Sequence, residues 1–350
     1  MSLASYLRAA PKAELHVHLE GAIAPATALT LARRNGIDLP ADDEAGLRAW
    51  FVYRDFDHFL TIIRAIARCL RTADDFEQVT YELAADLARQ RVRYAEVALS
   101  PSLHELRGVP FDTYFAGLTR GRARARADFG VELAWIFSIV RRWEDPAQTR
   151  AQADYTLATA LAGRDDGVVA LGLAAAEAGA PPEPFAPWFA RARAAGLHSA
   201  PHAGETAGPA SIWGAIRALG AERLAHGVRA IEDPALVEYL AAHDIALDVA
   251  PTSNIRLGVY PDHRAHPLPA LHAAGVTLTI NTDDPPLFST TLDDEVALLA
   301  DPFGLDVAAI DAILLNGVRC SFLPEPRRGE LLAACRAELA ALKATHLGGS

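Results

Sequence analysis

Short apolar runs alternate with longer amphipathic stretches along the whole chain. Runs at about 14–19, 92–99, 131–140, 168–173, 197–202, 223–226, 245–249 and 276–281 read as eight strands. The sixth is the weakest, being short and containing alanine. Between them, apolar positions recur at helical spacing: Phe59, Ile62, Ile63, Ile66 and Leu70 within His58 to Arg71. Phe76, Val79, Leu83 and Leu87 do the same within Asp74 to Gln90, where Thr72 or Asp74 caps the start. This alternation predicts an α/β fold with parallel strands, and eight units predict a (β/α)8 barrel of the TIM type. Such a barrel typically takes about 250 residues. The surplus falls between the first two strands, which are separated by about 72 residues of this 350-residue chain. A helical insertion after strand 1 is therefore expected at the C-terminal mouth, where a lid belongs. An open doubly wound sheet would need a G-x-G-x-x-G turn after its first strand, and Glu14-Leu15-His16-Val17-His18-Leu19-Glu20-Gly21 is not one. No low-complexity linker or repeat divides the chain, and Ala180-Pro181-Pro182-Glu183-Pro184 reads as a loop, so residues 1–350 are expected to form a single domain.

On a strand, alternate side chains share a face. Leu15, Val17 and Leu19 are then expected to face the helices while His16 and His18 point together into the barrel. Two adjacent titratable rings in a core are costly unless something coordinates or hydrogen-bonds them. In the last strand Val276, Leu278 and Ile280 alternate with Thr277, Thr279 and Asn281, and Asp283 continues the inward set, followed by Asp284. Adjacent carboxylates repel unless a cation neutralises one. A helix N-cap before Pro285-Pro286 accounts for one of them, not both. Strand 5 runs into His202-Ala203-Gly204-Glu205 and strand 6 into His226-Gly227. The remaining histidines, 58, 104, 198, 243, 263, 266, 272 and 346, read as surface or packing residues. Four histidines, one glutamate and two aspartates thus fall at strand C-terminal ends, the face on which this fold builds active sites. Three imidazoles and one carboxylate suit Zn²⁺ with a further position left for water.

Composition narrows the partners. The chain is 51% apolar and 22% charged, with a formal net charge of −11, as in an ordinary soluble protein. Its one Arg-rich stretch, Arg120, Arg122, Arg124 and Arg126, alternates with small residues on an expected helix surface, so no nucleic-acid partner is expected. Cys69, Cys320 and Cys335 are odd in number and lack C-x-x-C spacing, which points to reduced thiols and a cytoplasmic location. Met1 to Lys12 lacks a signal-peptide core, and no stretch approaches the roughly 18 apolar residues of a membrane span, so no membrane partner is expected.

The set His16-Val17-His18, His202-Ala203-Gly204-Glu205, His226-Gly227 and Thr282-Asp283-Asp284-Pro285 resembles the adenosine deaminase family of the amidohydrolase superfamily. It spans nearly the whole chain in the family's order. The resemblance implies one Zn²⁺ per chain, held by His16, His18, His202 and Asp283, and hydrolytic removal of the 6-amino group of adenosine or an adenosine-like purine nucleoside. It implies that Glu205 protonates the ring, that His226 orients and deprotonates the water, and that Asp284 meets the five-membered ring. His18, Glu20, Ala175 and Asp284 are the substrate-binding positions it implies.

Two positions depart from the adenosine pattern. Glu20 stands where those enzymes carry an aspartate that reaches the ribose, and in this it is similar to the adenine deaminase branch. Ala175 stands at a family glycine whose N–H meets the purine; the amide donor survives provided the backbone there does not need positive φ. The stretches from Tyr53 to Phe59 and Gly196 to Thr206 resemble bacterial aminodeoxyfutalosine deaminases of menaquinone biosynthesis, whose nucleoside bears a benzoate-containing 5′ extension. The resemblance places a lid at Phe51 to Leu70; Arg141 and Arg142, just past strand 3, are expected either to meet an anionic group there or to form a surface salt bridge. An H-x-E…C-x-x-C deaminase is excluded by the missing cysteine pair. A two-metal amide or lactone hydrolase would want a lysine after strand 4, and a catalytically silent barrel would be expected to have lost a ligand or the acid. The partner expected is a small purine nucleoside or base; a homo-oligomer is compatible with the sequence.

Overall fold

The computed structural model describes residues 2–141 and 145–348. Eight strands form one sheet: β1 Lys12–His18, β2 Val92–Leu99, β3 Glu132–Val140, β4 Val168–Ala174, β5 His198–Ala203, β6 Arg223–His226, β7 Ala246–Val249 and β8 Leu278–Ile280. They run in sequence order, each parallel to its neighbour. A parallel bridge between Val17 and Asp283 brings the last strand back to the first. There His18 N–H donates to the Asp283 carbonyl and Asp283 N–H to the His16 carbonyl, both at 2.9 Å. With helices around the sheet, this is the expected (β/α)8 barrel.

β8 is shorter than its apolar pattern because side chains take over its ladder. Asn281 Oδ1 accepts the Leu15 N–H at 2.8 Å, and Glu14 Oε1 accepts the Thr282 N–H at 3.0 Å. Both ends of the seam are thus hydrogen-bonded without regular strand pairing. β1 also departs from simple alternation. Glu14 pairs with Ala95 and Val17 with Val97, so three steps on β1 oppose two on β2. Leu15 accordingly packs with Ala13, Tyr94 and Ala134, apart from the main core that holds Val17 and Leu19. The bulge corrects the expectation that all three leucine and valine side chains share one face.

The insertion after β1 consists of helices Pro25–Asn35, Glu44–Phe51 and Phe56–Arg68, followed by the crossover helix Ala73–Arg89. The Asp55 side chain accepts the His58 N–H at 2.8 Å and starts the third of these. Thr72, not Asp74, caps the crossover helix through a capping box with Asp75. The arginine-bearing helix Phe111–Phe129 lies on the outside, where Arg120 and Arg124 pair with Glu77. The three cysteines are free thiols, and no described helix is long and apolar enough to cross a membrane.

Glu295 ties the loop after β7 to the helix Leu292–Ala300 by accepting the Thr252 N–H at 3.1 Å and the Thr290 hydroxyl at 2.5 Å. Burial pushes its carboxyl up to about 7. Between the ordinary carboxyl value and 7 the folded chain keeps a proton that the unfolded chain releases, so this group's contribution to stability falls as pH rises through that window. Glu295→Gln should remove up to about 3 kcal/mol of that decline. Thermal midpoints of both proteins from pH 4.5 to 8 test it; parallel curves would refute it.

Candidate active site

The residues expected to carry chemistry meet at the C-terminal mouth of the barrel. His16 and His18 stand near the end of β1, His202 on β5, His226 ends β6, and Asp283 and Asp284 follow β8. His202 Nε2 lies 3.2 Å from both His16 Nε2 and His18 Nε2. Asp283 Oδ1 lies 3.3 Å from His16 Nε2 and 3.2 Å from His18 Nε2. A tetrahedron with metal–nitrogen bonds of 2.0–2.1 Å has edges of about 3.3 Å. Four donor–donor separations therefore match one small cation coordinated by all four residues. Nitrogen facing nitrogen at such distances is poorly satisfied by protons alone, which is a further sign of fit.

Burial and mutual charge set the protonation of this cluster. His16 is raised to about 9, because the Asp283 carboxylate outweighs the burial that opposes its charge. Burial, then His16 and His18, pushes His202 well below the ordinary value. Asp283 is held well below the carboxylate range, with His16 outweighing burial. Asp284 beside it goes the other way, well up, through burial and then through Asp283. Burial, then Asp283 and Glu177, raises Glu205 to about 8. Burial, then His16, lowers His226 to about 3. The site thus pairs a protonated glutamic acid with a neutral histidine 3.5 Å away.

Backbone kinks aim these side chains. His226, Asp283 and Ala175 have φ of 65°, 68° and 70°, a region unfavourable for residues with a Cβ. At Ala175 the proviso attached to the family glycine fails: the backbone does adopt positive φ. Ala175→Gly should raise stability by about 1 kcal/mol, read as a higher urea midpoint; a lower midpoint would argue against strain. Gly21 is required for a different reason, since a Cβ there would fall 1.5 Å from Asp284 Oδ1. That oxygen is buried without a protein partner, and Asp284 lines the cavity with His18, Glu20, Ala175 and Glu205.

Several contributors lie outside the sequence motifs. His104, read as packing, is fully buried and holds Glu20 Oε1 at 3.0 Å, together with the Ser100 N–H at 3.1 Å. Those bonds outweigh burial and keep the Glu20 carboxyl low. Glu177 accepts main-chain N–H bonds from Gly204, Glu205, Thr206 and Ala207 at 2.6–3.0 Å, fixing the loop that carries Glu205. Ser253 donates to Asp283 Oδ2 at 2.7 Å, and the Asp248 carbonyl holds His16 Nδ1 at 3.1 Å. Strand ends are the functional face of this fold, and that rule would have flagged Ser253 and Asn254 after β7. Arg141 is buried and donates to the carbonyls of Ala180 and His202, and Arg142 lies outside the described residues.

The cavity extends from His18, His202 and Asp283 to the insertion, where Phe56, Phe59, Leu60, Ile63 and Arg64 line it. It measures about 740 Å³, counted out to solvent.

The chain is 40% identical over 332 residues to an aminodeoxyfutalosine deaminase of Streptomyces avermitilis, covering 95% of this chain and 92% of that one. It is 40% identical over 333 residues to an adenine deaminase of Cupriavidus necator, covering 95% and 93%. The crystal structure of an amidohydrolase from Burkholderia ambifaria with bound zinc superposes with a TM-score of 0.89 at 30% identity, covering 99% of this chain and 95% of that one. These relatives support purine deamination, and their substrates favour the alternatives over adenosine itself. A family model described as adenosine deaminase matches residues 11–337, and the chain belongs to the adenosine deaminase family.

Proposed function

We propose that this chain is a zinc-dependent purine deaminase whose substrate carries an extension beyond the ring, of the aminodeoxyfutalosine kind. The observation that carries the reading is the cavity wall. Phe56, Phe59, Leu60 and Ile63 offer apolar surface beyond the ring site, and exposed Arg64 stands among them as a counter-charge for a carboxylate. Bare adenine would leave that wall unused.

His16, His18, His202 and Asp283 would hold one metal ion. When bound, the metal supplies a water acidic enough to attack at neutral pH. The other steps belong to the protein. Glu205, protonated at neutral pH by its burial, donates to the ring nitrogen next to the attacked carbon, which must accept a proton as conjugation breaks. Protonated Asp284 donates to the five-membered ring, Glu20 lines the cavity beside it, and His226 stands beside the incoming oxygen. The net change is C–NH₂ plus water to C=O plus ammonia. β4 ends in Ala174-Ala175-Ala176 without a lysine, which supports one metal over two.

Adenine is the second reading, favoured by the 40% identity to adenine deaminases. Comparing kcat/KM for aminodeoxyfutalosine, adenosine, deoxyadenosine and adenine on zinc-loaded protein decides between them. Phe59→Ala and Arg64→Ala should each raise KM for aminodeoxyfutalosine about tenfold or more, one lost contact being worth roughly 1–3 kcal/mol, and leave adenine little changed. Equal effects on both would remove the extended-substrate reading, and no ammonia from any of the four would remove deamination.

A further inference from the structure

A chain of hydrogen bonds behind His226 has a direction that the main chain dictates. His226 Nδ1 lies 3.2 Å from Asn254 Nδ2, and Asn254 Oδ1 lies 3.1 Å from His266 Nε2. His266 Nδ1 in turn accepts the Leu268 main-chain N–H at 3.2 Å. All three side chains are buried. A peptide N–H can only donate, so His266 Nδ1 is the unprotonated nitrogen and the ring carries its proton on Nε2. That proton needs an oxygen, so the Asn254 amide points its Oδ1 at His266 and its NH₂ at His226. Turning the amide over would place NH₂ against N–H, or require an imidazole with no proton. A doubly protonated His266 would meet the Leu268 N–H donor to donor. Burial keeps the His266 ring neutral, lowered to about 3.

His226 Nδ1 is therefore an acceptor, and the proton of the ring lies on Nε2, the atom 3.5 Å from Glu205 Oε1 and 3.8 Å from Asp283 Oδ2. His16 differs: its Nδ1 faces the Asp248 carbonyl and must carry a proton, so Nε2 is the nitrogen that would give its lone pair to a metal. His16, His202, His226 and Asp283 all lie within 4.8 Å of one another, so distance alone does not separate ligand from bystander. The tautomers do.

We infer that Asn254 and His266 are positioning residues that lock His226 in the Nε2–H tautomer, so that His226 donates to the oxygen entering the purine carbon and neither ligates the metal nor accepts the proton of that oxygen. The tautomer stands on the three hydrogen bonds; its catalytic consequence rests on the deaminase reading above.

Two-bond ¹H–¹⁵N correlation spectra of protein labelled at histidine nitrogen, metal-free and zinc-loaded, test it without a variant. The expected result is Nε2–H for both His226 and His266; Nδ1–H at His226 would overturn the inference. In Asn254→Asp the carboxylate can only accept, so His226 should reverse to Nδ1–H. The kcat for the best of the four purines should then fall about 10²–10³-fold, the cost of one lost preorganised donor, with KM near wild type. His266→Ala should leave both tautomers populated and cost less. An Asn254→Asp protein with wild-type kcat would also overturn it. An Nε2–H ring in a protein that deaminates no purine would remove the deaminase reading alone, whereas deamination with an Nδ1–H ring would remove the inference alone.

Discussion

Glu205→Gln should keep the fold and the metal yet lose about 10²–10⁴-fold in kcat, the range associated with a positioned proton donor. The substitution conserves shape in a buried position and leaves the four main-chain bonds to Glu177 in place. What it removes is a transferable proton. An acid must be protonated to act, so turnover through Glu205 is full below its pKa and lost above it. With the carboxyl at about 8 in the absence of a cation, the alkaline limb of kcat/KM should appear at pH 8 or lower, since a nearby dication can only favour the charged form. The glutamine protein should lack that limb. Metal analysis alongside the pH profile checks the assignment. Glutamine activity within tenfold of wild type, or an unchanged alkaline limb, would remove Glu205 from its role.

Removing the metal should have the second large effect, on activity and stability together. Dialysis against a chelator is expected to abolish ammonia release, and stoichiometric zinc to restore it at about one ion per chain. Stability should follow, because a ligand bound only to the folded state adds about 2.7 kcal/mol at a hundredfold excess over its dissociation constant. Without it, His16 and Asp283 are left as a buried ion pair beside a neutral His202. Calorimetric midpoints with and without zinc provide the measurement. Identical midpoints and undiminished turnover after complete chelation would refute the metal site.

The parts legible in the sequence were those with a local signature. Eight strands showed as apolar runs, and the H-x-H, His-Ala-Gly-Glu, His-Gly and Asp-Asp segments each carry their chemistry within a few residues. The bulge in β1 was hidden because it depends on pairing with β2. β8 ended early because Glu14 and Asn281 replaced its ladder across the seam. The same reason hid His104, Glu177, Asn254 and His266, since the partner that defines each is supplied by the fold. His104 finds Glu20 at 84 residues' separation, and Glu177 finds Gly204 at 27. The carbonyl partners of Arg141 are hidden for a related reason, since Ala180 and His202 come to it only in the fold. The nature of the substrate beyond the ring depends on the cavity wall, which only the folded insertion creates.

The seam between β1 and β8 also sets an order of events. Asp283 is made 265 residues after His18, yet it exchanges main-chain hydrogen bonds with both His16 and His18. A contact of such sequence separation forms late, after the loop it closes has lost its freedom. A chain cut just before residue 283 holds all four histidines of the cluster but lacks both aspartates. The capacity to deaminate therefore appears only when the ring of strands has closed, and the appearance of activity during refolding should report that last step and none before it.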